Sequence, residues 1–185
     1  TYLYAGGSAR TVWKINPSDM SKVAESDNYG GYILALAFDG TYLYVGGDGG
    51  RVWKINPSNM SKVAESAAHG ATIYALAFDG TYLYAGGSAR TVWKINPSNM
   101  SKVTESANYG ATIYALAFDG TYLYAGGSAR TVWKINPSDM SKVAESDNYG
   151  GYILALAFDG TYLYVGGDGG RVWKINPSNM SKVAE

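Results

Sequence analysis

The residues most able to meet a ligand fall in two short stretches of each repeat of this sequence. One stretch holds Arg10, Asp48, Arg90, Arg130 and Asp168; the other holds Tyr29, His69, Tyr109 and Tyr149. Guanidinium and carboxylate groups bring charge and hydrogen-bonding capacity, and the rings bring stacking surface. These positions stand out because the rest of the sequence repeats itself. Ser8-Ala9-Arg10-Thr11 gives way to Asp48-Gly49-Gly50-Arg51. Asp27-Asn28-Tyr29-Gly30-Gly31-Tyr32 gives way to Ala67-Ala68-His69-Gly70-Ala71-Thr72. The Asp-Gly and Asn-Pro-Ser turns hardly change. Loops on a rigid scaffold are where binding usually sits, so these nine residues form the candidate ligand face.

Harder chemistry finds little support. His69 is the single histidine and cysteine is absent, so neither a multi-histidine nor a thiolate metal site can be built. A Ser-His-Asp triad would need that one histidine, and no Gly-x-Ser-x-Gly elbow occurs. Gly46-Gly47-Asp48-Gly49-Gly50 could cradle phosphate through backbone N–H groups. No helix follows it, however, and no Lys-Ser or Lys-Thr completes a P-loop. As a calcium loop it offers one carboxylate, Asp48, where several are wanted. Asp39 is committed to a turn and Glu25 to an outer strand. Trp13, Trp53, Trp93, Trp133 and Trp173 recur at one position and could stack on sugar, but their apolar neighbours favour packing. No catalytic residue, cofactor or metal is expected.

The elements that must carry these residues follow from the repeat. Thr-Tyr-Leu-Tyr begins at 1, 41, 81, 121 and 161, a period of 40 without slippage. Such a period indicates a solenoid or a propeller. Ile33–Phe38 is apolar on both faces, as in a strand buried on both sides. Asp39-Gly40 then predicts a two-residue hairpin turn. Thr41–Val45 is β-branched and aromatic and predicts a second strand. The glycine cluster breaks it before a third strand, Arg51–Ile55. Asn56-Pro57-Ser58-Asn59 predicts a turn, and Ser61–Glu65 a short polar strand suited to a sheet edge. No helix is expected.

Four short strands per 40 residues predict an all-β fold, a β-propeller of four-stranded antiparallel blades with the most apolar strand innermost. The organisation expected is a single region, 1–185. A partial blade of three strands, 1–30, precedes blades at 31–70, 71–110, 111–150 and 151–185. Residues 121–185 are identical to residues 1–65 at all 65 positions. The larger unit is therefore a block of three repeats, and such identity reads as design, gene reassembly or very recent duplication.

Ala-Phe-Asp-Gly-Thr-Tyr-Leu-Tyr-Val-Gly-Gly, followed by Val-Trp-Lys-Ile-Asn-Pro-Ser, resembles blades of the YVTN, NHL and quinoprotein-like propellers. The WD-repeat pattern is missing, as is the tryptophan-docking motif of quinoproteins. The near-perfect repetition is similar to that of symmetric designer propellers built from one blade. That resemblance implies a scaffold with no assigned biochemical activity.

Composition limits the partners. Fifteen acidic and fifteen basic residues balance, and no block of like charge occurs, which speaks against nucleic acid and anionic membranes. No signal-like or membrane-spanning apolar run is present, so a soluble protein is expected; the absence of cysteine leaves the compartment open. The expected function is that of a non-enzymatic, self-assembling repeat scaffold. The alternative is a natural lectin-like or protein-binding propeller using the variable loops of one face. A partial blade leaves a propeller open. The expected partner is therefore a second copy, giving a ring of about eight or nine blades, unless further parts of the same chain complete it. A start at Thr1 instead of Met is read as a processed, trimmed or partly observed product.

Overall fold

A computed structural model describes residues 2–185. Thr1, where the first strand is expected to begin, lies outside them. The described residues form nineteen strands and no helix, so no helix is long and apolar enough to cross a membrane. The first sheet has three strands, β1 (Leu3–Gly6), β2 (Val12–Ile15) and β3 (Lys22–Glu25). Four four-stranded antiparallel sheets follow, each in sequence order from one edge to the other. They are β4 (Ile33–Phe38), β5 (Leu43–Gly47), β6 (Trp53–Ile55), β7 (Lys62–Glu65); β8 (Ile73–Phe78), β9 (Leu83–Gly87), β10 (Val92–Ile95), β11 (Lys102–Glu105); β12 (Ile113–Phe118), β13 (Leu123–Gly127), β14 (Val132–Ile135), β15 (Lys142–Glu145); and β16 (Ile153–Phe158), β17 (Leu163–Gly167), β18 (Val172–Ile175), β19 (Lys182–Ala184).

The expected propeller is corrected here. The all-β class holds, but the described residues form five separate sheets and no closed ring. The sheets lie face to face in chain order, and the first and last do not cover one another. Leu3 on the first is 46% exposed and Val172 on the last is 60% exposed. The physical reason is that each sheet has two apolar faces and needs two neighbours, and the terminal sheets have one each.

The core sits between sheets. Tyr44 and Val52 of one sheet pack on Ile73, Leu83, Trp93 and Ile95 of the next. Tyr84 and Val92 do the same against Ile113, Leu123, Trp133 and Ile135. Alternation along the strands explains this: Tyr44 and Gly46 of β5 face forward, while Leu43 and Val45 face back. Each buried aromatic or aliphatic side chain stabilises by roughly 1.5–3 kcal/mol. Gly46 permits the close approach, since a Cβ there would lie 2.7 Å from Ile73 Cγ2.

Three local expectations are revised. The Asp-Gly hairpin is a four-residue loop, with Phe38 paired to Leu43. The Asp39 carboxylate accepts the N–H groups of Thr41 at 2.7 Å and Tyr42 at 2.6 Å, which pulls both residues out of the strand. Gly46 and Gly47 belong to β5 instead of the loop after it. Finally, β4 is not buried on both faces. Leu34 and Leu154 are exposed, and with Tyr74 and Tyr114 they line an open cavity of about 260 Å³ on which β4, β8, β12 and β16 converge.

Candidate functional site

The structure brings the two variable stretches together at one end of the sheets. The loop before β2 is a tight turn in which Arg10 N–H donates to the Gly7 carbonyl at 3.2 Å. Arg10, Arg90 and Arg130 adopt φ of 66°, 67° and 68°, the left-handed region, and Gly50 (61°) and Gly170 (70°) hold the same place in the other repeats. Glycine suits that conformation and arginine bears strain there. The carbonyl of this residue then accepts an N–H from the second stretch. Tyr29 donates to Arg10 at 2.8 Å, His69 to Gly50 at 2.6 Å, Tyr109 to Arg90 at 2.9 Å and Tyr149 to Arg130 at 2.8 Å.

These rings turn inward onto the tryptophan of the following sheet. Centroid separations are 3.7 Å for Tyr29–Trp53, 4.4 Å for His69–Trp93, 4.5 Å for Tyr109–Trp133 and 4.8 Å for Tyr149–Trp173. Lys62 and Lys102 cover Trp53 and Trp93 at 4.3 and 4.5 Å. Trp53 and Trp93 are thus each held between a ring and an ammonium group, an aromatic contact that helps tie neighbouring sheets. The hydroxyls of Tyr29 and Tyr109 and both ring nitrogens of His69 are buried without hydrogen-bond partners. Burial lowers the His69 pKa to about 4, so the ring is neutral at pH 7.

The remaining candidates stay outside that stack. Arg10, Arg90, Arg130, Asp48 and Asp168 are exposed. The Asp168 carboxylate accepts the Tyr152 N–H at 2.6 Å, and the Asp48 N–H donates to the Tyr32 carbonyl at 3.1 Å. Among the described residues no group of three or more His, Cys, Asp or Glu side chains is placed to hold a metal ion.

Sequence reasoning missed a different set of polar residues, one at each inter-sheet contact. Lys14, Lys54, Lys94 and Lys134 are buried, although single lysines in a strand read as solvent-facing. Each Nζ donates to a proline carbonyl of the next sheet: Lys14 to Pro57 at 2.8 Å, Lys54 to Pro97 at 2.7 Å, Lys94 to Pro137 at 2.6 Å and Lys134 to Pro177 at 2.7 Å. Each also lies over a tyrosine ring, as Lys54 does over Tyr42 at 4.0 Å. The available signal was the fixed Val-Trp-Lys-Ile string, in which Lys interrupts an apolar strand five times over.

A second polar device was also missed. The Tyr44 hydroxyl donates to the Asp39 carboxylate at 2.7 Å, and Tyr84–Asp79, Tyr124–Asp119 and Tyr164–Asp159 repeat it. Burial alone would raise the Asp39 pKa. The N–H groups of Tyr42 and Thr41 and the Tyr44 hydroxyl outweigh it and hold the carboxyl below its usual range. Burial and the same carboxylate raise the pKa of Tyr44.

Two openings border the first sheet. A groove of about 510 Å³ runs beside β1, lined by Tyr2, Leu3, Tyr4, Leu36, Ala37, Phe38 and Leu43. Among the described residues β1 has no strand on its inner side. A second hollow of about 230 Å³ includes Ala5, Thr11 and Trp13 on the same sheet.

No protein-family model matches the chain, and no curated protein matches it. Among solved structures it is similar to a crystal structure of the computationally designed Ika8 protein, with a TM-score of 0.85 at 17% sequence identity. The match covers 98% of this chain and 57% of that one, so the chain spans little more than half the length of the protein it matches. At that identity the likeness is one of fold.

Proposed function

We propose that the chain is a non-enzymatic repeat scaffold of designed or consensus-derived sequence, and that it self-assembles, two copies closing into one ring of sheets. One observation carries this reading. The outer faces of the first and last sheets are built from the residues that every inner interface buries, yet they stand in solvent. Contiguous apolar faces of this kind mark association surfaces. Two copies bring eight four-stranded and two three-stranded sheets. Identity over 65 positions and the fold likeness to a computationally designed protein support a designed origin. Light scattering across a dilution series tests the assembly. A species of twice the chain mass is expected at micromolar concentration. A single 19.8 kDa species at every concentration, melting cooperatively, would sink the proposal.

A second reading, a ligand face on the variable loops near Arg10, Tyr29, Asp48 and His69, draws on the unpartnered polar atoms of Tyr29, Tyr109 and His69. A glycan or peptide array tests it. Binding that is lost when Tyr29→Ala and Tyr149→Ala are combined would favour this reading; an empty array would remove it.

A further inference from the structure

Each internal interface is directional, and the two free faces are its two halves. The forward face of a sheet presents a tyrosine, a valine and a lysine; the backward face of the next presents leucine, tryptophan, isoleucine and methionine. The last sheet leaves a forward face free, made of Tyr164, Val172 and Lys174. The first leaves a backward face free, made of Leu3, Trp13, Ile15 and Met20. No forward face is left on the first sheet, because Val12 is already buried against Ile33, Leu43 and Ile55. No backward face is left on the last, because Leu163, Trp173 and Ile175 are buried against Tyr124 and Val132.

The polar inventory is complementary in the same sense. Lys14, Lys54, Lys94 and Lys134 each donate to the proline carbonyl 43 residues ahead. Lys174 lies over Tyr162 at 3.8 Å as the others lie over their tyrosines, but among the described residues it donates to no proline carbonyl. Conversely, Pro57, Pro97, Pro137 and Pro177 each receive a lysine from the preceding sheet, and Pro17, on the first sheet, receives none among the described residues. One donor and one acceptor are left over, on opposite free faces.

Resting on the self-assembly reading above, we infer that a second copy docks head to tail: the Val172 and Lys174 face of one chain seats on the Leu3, Trp13 and Met20 face of another, with Lys174 Nζ donating to the Pro17 carbonyl of that second copy. This contact continues the internal interface. The occupied forward face with the same sequence, that of Tyr44, Val52 and Lys54, already takes the same residue types from the next sheet, Leu83, Trp93, Ile95 and Met100. The association is heterologous, so one copy uses both faces. It closes where the rotation permits a ring and elongates where it does not.

Blocking one face at a time tests the polarity. Val172→Asp blocks the forward face and Leu3→Asp the backward face; both positions are solvent-exposed in the single chain, and circular dichroism checks that both variants stay folded. Wild type is expected to assemble, each variant alone to remain at 19.8 kDa, and an equimolar mixture to give a 1:1 complex of twice that mass and nothing larger. Lys174→Met is expected to weaken wild-type association by about tenfold with the circular dichroism spectrum unchanged. If wild type assembles and either single variant still self-associates, the contact is isologous and the inference fails. It fails equally if the mixture stays monomeric. If wild type itself never assembles, the self-assembly reading falls, and this inference with it.

Discussion

Residues 1–25 and 121–145 have one sequence and two environments. Trp13 is 40% exposed and Trp133 3%; Met20 is 65% exposed and Met140 2%. Both segments pair as the same three-strand meander in the same register, Leu3 against Ile15 and Leu123 against Ile135. What differs is the neighbour. β13–β15 have a preceding sheet offering Tyr84 and Val92 and an inner strand β12; β1–β3 have neither among the described residues. Local hydrogen bonding therefore specifies the meander, and stacking specifies the core.

The largest expected effect uses that pair of tryptophans. Trp133→Ala should destabilise by about 3–5 kcal/mol, the range for deleting a buried aromatic ring. Trp13→Ala, in the dilute single chain, should cost less than about 1 kcal/mol. Urea unfolding of both variants decides it, and equal losses would mean that the first sheet is already covered.

The next effect compares Gly46 with Gly166, again in identical sequence. A Cβ on Gly46 would lie 2.7 Å from Ile73 Cγ2, whereas at Gly166 the nearest atom is Ala155 Cβ at 3.9 Å. Gly46→Ala should cost about 1–3 kcal/mol by overpacking, and Gly166→Ala less than about 0.5 kcal/mol. Thermal melts below the assembly concentration provide the comparison.

Smaller again is the lysine pair. Lys134→Met leaves the Pro177 carbonyl without its donor and should cost about 1–2 kcal/mol. Lys174→Met removes no such bond within the chain and should leave its stability unchanged within about 0.5 kcal/mol. A loss at Lys174 as large as that at Lys134 would show that the carbonyl bond is not what the interior lysines contribute.

The smallest effect at neutral pH belongs to His69→Tyr, which installs the ring found at Tyr29, Tyr109 and Tyr149. The folded-state pKa of His69, lowered to about 4 by burial, lies below the unfolded value of about 6.5. Its neutral form is therefore fully accommodated above about pH 6.5. As pH falls from there to about 4 the unfolded chain takes up the proton first, and stability declines. Glu105 on the facing sheet opposes this shift and Lys102 adds to it. Wild type should lose stability in that window relative to His69→Tyr, and parallel curves would place the ring in contact with water.

The sequence by itself determined what is local and repeated. The strand Ile33–Phe38 was legible to the residue, because an apolar run ended by Asp-Gly has few other solutions. The polar outer strand was legible from the Lys and Glu that flank Val and Ala in Lys62–Glu65. The two variable loops could be placed at one end because alternate connections of a meander share an end, as the Tyr29–Arg10 bond shows. Tertiary structure decided the rest. The Asp39 carboxylate turned Thr41 and Tyr42 into loop, which hydropathy alone does not register. Interior lysines acquired partners 43 residues away, a distance no local pattern reports. Above all, periodicity specified a sheet that needs a neighbour on each side without specifying whether the chain supplies both. Burial of Trp13 or Val172 is a property of a contact between faces, and a single strand's residues carry no record of it.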